Sequence, residues 1–256
     1  MVNVSIRLYI VIWLLFFVLL FSRHVYSDPV VVTIYEYHNF PPMVVSQSKR
    51  IGLSFGFARY LTQKSRGMYR FDVKVVAMQS LQNHLESGQS AMVIFVNPIW
   101  FADENMQKYL WTDSVLTLKD EIVSKKSKPF LYQNRLSFKG KVIGGIDGYT
   151  YPVLDELVAQ GEAVRVNTGS DLQNLKDLTQ GNQLDAVIVN EGPLKFYSQI
   201  LGIEEKLYVS NQPSGEYEVK ILLTKDLLSV HLFLEEIIPN FDLDGDWIAL
   251  KELYLP

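Results

Sequence analysis

Gly52-Leu53-Ser54-Phe55-Gly56 has the Gly-x-Ser-x-Gly form of a nucleophile elbow, which lifts a serine hydroxyl on a sharp turn from strand to helix. What precedes it is the polar turn Ser46-Gln47-Ser48-Lys49-Arg50, so the segment reads as an ordinary helix entry. Asp242-Leu243-Asp244-Gly245-Asp246 alternates acids like the start of a calcium loop. Its glycine is misplaced, however, and Leu253 stands where a bidentate Glu is needed, so it reads as a turn joining helices. His24, His38, His84 and His231 lack metal-ligand spacing. The chain has no Cys, which removes disulfides, thiolate metal ligands and cysteine nucleophiles. Gly144-Gly145 and Gly148 are not followed by the Lys-Ser/Thr of a phosphate loop. No catalytic residue, metal or cofactor is assigned.

The remaining polar and aromatic clusters suit binding. Glu36-Tyr37-His38-Asn39-Phe40-Pro41-Pro42 is an aromatic loop stiffened by prolines; Glu36, Tyr37 and Phe40 are candidate contacts. Asn97 and Trp100 lie in Asn97-Pro98-Ile99-Trp100, where the indole suits an apolar or planar ligand group. Tyr149 and Thr150 precede a helix start, whose free amides favour an anion. Asn190 and Glu191 complete the candidate set.

These clusters need strands behind them. Val30 to Tyr35, Phe71 to Val76 and Ala91 to Val96 read as strands, separated by helices over Leu53 to Gln63 and Gln79 to Gly88. Lys139 to Tyr197 repeats the logic without the sequence. Its strand Lys141 to Ile146 leads to a helix opening at Pro152, and Ser170-Asp171-Leu172-Gln173 has the form of a capping box. Leu184-Asp185-Ala186-Val187-Ile188-Val189 reads as a strand buried on both faces. Two α/β lobes follow, joined by extended segments at Leu110 to Ser124 and Glu218 to Leu223, with ligands expected beyond the strands' carboxyl ends. In the closing helix, Lys225 to Ile238, the residues Leu227, Leu228, His231, Leu232 and Leu234 are expected to face inward.

At 256 residues and 48% hydrophobic content the chain supports a sizeable core. Arg7, an apolar run from Leu8 to Phe21 and Val25-Tyr26-Ser27 have the form of an export signal cleaved near Ser27; an uncleaved anchor is the rival reading. Residues 1–27 carry Arg7 and Arg23 and no acid, so their removal takes the formal charge from −4 to −6, which gives no electrostatic reason to bind nucleic acid.

The order and spacing of these elements resemble the type II periplasmic solute-binding proteins, most closely family 3, the receptors of amino-acid ABC importers. The resemblance rests on Thr33 to Pro42, on Gly140-Lys141-Val142-Ile143-Gly144 leading to Gly148-Tyr149-Thr150-Tyr151, on Gly181 to Val189, and on Asp244-Gly245-Asp246-Trp247. It implies an α/β, two-lobed fold in which two crossover segments form a hinge. Residues 1–27 are then a signal peptide, 28–117 plus 221–256 one lobe, and 118–220 the other. It further implies a periplasmic monomer that is not an enzyme, holds a small polar solute between its lobes and hands it to an inner-membrane ABC permease. The alternatives are a ligand-sensing subunit or a periplasmic dehydratase-like enzyme, with Glu36 or Glu191 as acid or base.

Family members that bind α-amino acids carry an Arg in the loop occupied here by Asn97 to Trp100, and an acid at the position of Asn190. Both are replaced. Either Lys119 or Arg135 supplies a cation from elsewhere, or the ligand is less charged and held by Trp100, Asn97, Thr150 and Asn190.

Overall fold

The computed structural model describes residues 28–181 and 183–255. The expected export signal lies outside them. Among the described residues, no helix is long and apolar enough to cross a membrane.

The first half of the molecule is built on β1 (Val30–Glu36), β2 (Tyr69–Val75) and β3 (Met92–Val96). β1 lies between β2 and β3, parallel to both, and the connections run through α1 (Leu53–Lys64) and α2 (Met78–Glu86). The second half repeats the plan. β6 (Val142–Ile146) lies between β7 (Val164–Thr168) and β8 (Ala186–Asn190), again in parallel, with α3 (Pro152–Ala159) and α4 (Asp171–Gln180) as connections. Pro152 takes the first position of α3, where its missing N–H costs nothing.

Two long strands join the halves. β5 (Leu116–Lys125) and β10 (Gly215–Leu223) run antiparallel, pairing Leu116 to Asp120 with Val219 to Gly215. Beyond that stretch they part: Lys220 to Leu223 pair with β3 and the short β4 (Leu110–Trp111), while Asp120 to Val123 pair with β8. β9 (Leu207–Val209) covers the far end of β5. The sheet order is therefore β2-β1-β3-β10-β5-β8-β6-β7, and the β10–β5 pairing is its single link.

Each half has buried side chains on both faces of its sheet. Around β1 and β3, Ile34 and Phe57 belong to one cluster and Tyr35 and Val93 to another; around β8, Ile188 and Val187 are divided in the same way. This explains the unbroken apolar runs of β3 and β8. β3 breaks the alternation once, since Ile94 and Phe95 share a cluster. Phe95 has a left-handed backbone, φ 57°, and the β3–β10 register shifts beside it. This bulge redirects the chain just before Asn97.

The chain closes with α5 (Glu191–Leu201), α6 (Leu228–Ile237) and α7 (Gly245–Tyr254). Asp244 caps α7 and pairs with Lys64 at 2.6 Å, so the acid-rich turn joins helices and does not enclose calcium. Two local expectations fail. In α6, Leu228 and Leu232 are exposed while Val230, Phe233 and Leu234 are buried, because Phe233 packs against Tyr69 and Phe71 and thereby sets the inward face. At α4, Ser170 accepts the Gln173 N–H, but the Gln173 side chain donates to Asp177 instead of reaching back, so only half of the capping box forms.

Candidate functional site

The parallel strands of both halves end toward the β5–β10 link, and the loops at those ends carry the candidate residues. β1 runs into Glu36, which is fully buried. One of its carboxylate oxygens accepts the His38 N–H at 2.7 Å and meets His38 Nδ1 at 3.0 Å; the other accepts the Ser54 hydroxyl. Ser54 lies inside α1 with its hydroxyl spent, so it is no nucleophile. Glu36 is likewise removed from the candidate contacts. It fastens the aromatic loop to α1, and its lone pairs are taken from within.

That loop is held by rings. His38 lies 4.0 Å from Tyr37, 5.6 Å from Phe40 and 6.3 Å from Trp100, centroid to centroid. Phe40 packs against the main core of its half, while Tyr37 is half-buried. Trp100 stands in the short 3-10 turn Pro98–Phe101 and is exposed, its ring edge-on to Tyr217 at 5.3 Å. Asn97 does not reach outward as expected. Its carbonyl accepts the Ile99 N–H and its amide donates to the Glu218 carbonyl, which ties the turn to β10.

In the other half, Tyr149 and Thr150 are exposed at the end of β6. The free amides expected at this helix start are partly used within the chain. The Tyr151 N–H donates to Asp155 at 2.8 Å, and the Tyr149 N–H donates to the Ile146 carbonyl. Arg165 locks the turn from below. It pairs with Asp155 at 2.6 Å, donates to the carbonyls of Ile146 and Tyr149, and lies over the Tyr151 ring. An arginine so engaged is not free to hold a ligand carboxylate.

Asn190 caps α5 by accepting the Gly192 N–H, and its amide lies 3.3 Å from Asp120 Oδ1 and 3.2 Å from the Tyr217 hydroxyl. Tyr217 donates to the same Asp120 oxygen at 3.1 Å. Burial nevertheless holds the Asp120 carboxyl above its ordinary value against these two donors, and burial followed by the Asp120 charge raises the Tyr217 phenol. Glu191 is half-buried beside Lys119 and Glu121, and burial raises its carboxyl. Burial also pushes the Tyr149 phenol to about 12, with contributions from the charges of Asp171 and Asp120.

Asp171 completes the group. The first residue of α4, it is 5% exposed, and among the described residues its carboxylate has no hydrogen bond or ion pair. Burial, then the nearby Asp120 charge, pushes it to about 7. Its charge acts on Tyr149, Tyr151 and Tyr197 as well, which places it within the group at the ends of β6 and β7. In the sequence Asp171 belongs to a helix-cap pattern and Asp120 to a crossing segment. The signal that could have marked Asp171 is an acid one residue past a Ser cap; Asp120, between Lys119 and Glu121 in its strand, carries no such signal.

The two halves touch at this site. An added methyl at Gly192 would stand 2.6 Å from Pro42 Cδ, so the loop after β1 rests directly on the start of α5. Lys195 also reaches across to the Leu255 carbonyl at 3.2 Å. The two cations expected as substitutes for an arginine differ in their surroundings. Arg135 pairs with exposed Glu156 at 2.6 Å, and Lys119 lies among Glu121 and Glu191.

No family model and no curated protein matches the sequence. Solved structures do match. An ancestral arginine-binding protein bound to arginine aligns at TM-score 0.68 and 16% identity over 90% of this chain and 100% of that one. The substrate-binding protein of an ABC uptake transporter from Streptococcus pneumoniae, with bound histidine, aligns at 0.64 and 15% over 88% of this chain and 92% of its own. An ancestral amino-acid-binding protein, a precursor of cyclohexadienyl dehydratase, aligns at 0.64 and 13% over 88% and 96%. At these identities the likeness concerns the fold, and the chain has the two-lobed α/β fold of the type II periplasmic binding proteins.

Proposed function

We propose that this protein is an extracytoplasmic receptor that takes up a small polar solute between its lobes and presents it to an ABC permease. The observation that carries the reading is the position of Tyr217 in the two-strand link, where its ring meets Trp100 of one lobe at 5.3 Å and its hydroxyl hydrogen-bonds Asp120 and Asn190 of the other. A solute seated there touches both lobes, and its binding energy can hold them together. The neighbours by fold include proteins that bind arginine and histidine, one of them serving an ABC uptake transporter, which supports a receptor role.

In this reading residues 28–117 plus 221–256 form one lobe, 118–220 the other, and the paired stretch of β5 and β10 is the hinge. Export to the periplasm rests on the form of residues 1–27, and the protein acts as a monomer without catalysis. The contacts proposed are Tyr37, Trp100, Tyr149, Thr150, Asn190 and Glu191, with Phe40 and Asn97 shaping the loops behind them.

The test is a thermal-shift screen of the purified protein against amino acids, amines, sugars and small acids. A ligand at about 100 times its dissociation constant stabilises by about 2.7 kcal/mol, well above the scatter of such a screen. The reading predicts at least one class that raises the melting temperature and whose effect is abolished by Trp100→Ala. If no class does so, the cleft is not a solute site.

A further inference from the structure

We infer that the solute is an organic cation without a carboxylate: an alkylammonium or related amine whose charge sits by Asp171 and Asp120 and whose hydrocarbon part lies against Trp100, Tyr149 and Tyr217. The inference rests on the receptor reading and names the ligand chemistry of the same site.

Three observations carry it. The first is Asp171 itself. Asp171 is 5% exposed as a residue, and among the described residues its carboxylate has no hydrogen bond or ion pair, whereas buried charges are ordinarily paired. A ligand that supplies N–H donors and positive charge pairs it. The second is Asp120, which stands close enough to act on Asp171 electrostatically; its Oδ1 is occupied by Tyr217 and Asn190, and no described residue donates to its other oxygen. Two acids that repel each other are reconciled by one cation between them.

The third observation is the aromatic surround. Trp100 and Tyr149 are exposed, and Tyr217 is edge-on to Trp100 at 5.3 Å. Ring faces beside carboxylates attract an ammonium group through both its charge and its polarised methylenes. A ligand carboxylate finds the opposite. Arg165 is spent on Asp155, Lys119 sits among Glu121 and Glu191, and the amides of Tyr149 and Tyr151 are donated within the chain. An amino acid would therefore bring its anion to a site with two acids and no free guanidinium, and repulsion would select against it.

Matched pairs test this, because each amine differs from its parent amino acid by the carboxylate alone. The purified protein is titrated at pH 8 with 1,5-diaminopentane against lysine, agmatine against arginine, and histamine against histidine. Melting temperature gives the first readout and calorimetry the affinities. At least one amine is expected to bind ten-fold or more tightly than its parent, and Asp171→Asn is expected to abolish that preference. The same variant should melt at or above the wild-type temperature without ligand, which shows that it folds and that the lost binding is not misfolding. If a parent amino acid binds as tightly as its amine or more so, the inference is wrong while the receptor reading stands. If none of the six binds, the inference is also wrong; hits among sugars or small acids would then preserve the receptor reading, and none there would remove both.

Discussion

Pro42 and Gly192 meet across the two lobes, the proline ring lying where any side chain at 192 would have to stand. Gly192 is the second residue of α5, directly after Glu191, and Pro42 ends the aromatic loop that carries Tyr37 and Phe40. In the proposed receptor this contact is expected to act as a stop that sets how closely the loops of one lobe approach the α5 start of the other. Gly192→Ala puts a methyl 2.6 Å from a ring that is held in its own loop, and the lobes are expected to stay further apart. In solution scattering, the wild type should lose radius of gyration on binding solute and the variant should not. Equal contraction in both would refute the stop, and no contraction in either would refute the hinge.

Asp171 makes a pH prediction whose sign is opposite to that of a paired acid. Its carboxyl is raised to about 7, above the unfolded value, so the folded protein holds a proton that the unfolded chain has released. Stability from this residue therefore falls as the pH rises from about 4 to about 7, and the cost is complete above that window. Asp171→Asn lacks this term. The difference in melting temperature between the variant and the unliganded wild type should favour the variant more at pH 8 than at pH 5. A difference independent of pH, or one of opposite slope, would mean that Asp171 is paired.

Asp103 gives the contrasting case. Its carboxylate accepts the N–H groups of Gln107, Lys108 and Tyr109 and the indole N–H of Trp111, all between 2.8 and 3.0 Å. Burial alone would raise it, but these donors together hold it below the ordinary aspartate value. Its contribution is thus present at neutral pH and is lost as the pH falls through that depressed value. Asp103→Asn should cost about 2 kcal/mol in urea unfolding at pH 7, and the gap should narrow below pH ~4. A cost under about 0.5 kcal/mol at pH 7 would show that this loop does not depend on the carboxylate.

Tyr217 is predicted to support the site through Asp120. Tyr217→Phe keeps the ring beside Trp100 and removes the hydroxyl that donates to Asp120 and accepts from Asn190. Solute affinity should drop about ten-fold, whereas Trp100→Ala, which removes the ring contact, should cost at least as much. Unchanged affinity in Tyr217→Phe would mean that Asp120 does not depend on this donor.

The scaffold was legible because it is written in local terms. Pro152 at a helix start, Ser170 at a cap and the β-branched run into Asn190 each announce an element to anyone reading a dozen residues at a time. The site was less so. Asp171 looks like an ordinary first-turn acid until α4 packs it into the protein interior, and Asp120 looks solvated until Tyr217 arrives from 97 residues away. Glu36 was misjudged for the same reason in reverse, since its partners His38 and Ser54 come from a loop and from α1. Leu228 and Leu232 show the limit of periodicity in a helix with several apolar faces, where Phe233 decides which one packs. What decides each of these residues is a contact between elements, and a helical or strand period carries no record of it.

The central claim, a solute held between the lobes, is tested most directly by hydrogen–deuterium exchange of the purified protein with and without a solute that raises its melting temperature. Protection is predicted in Tyr37 to Pro42, Asn97 to Phe101, Leu118 to Glu121, Asp147 to Tyr151, the start of α5 at Glu191 and Gly192, and the first half of β10. Protection confined to one lobe, or to the outer faces of α2 or α6 away from these segments, would contradict it.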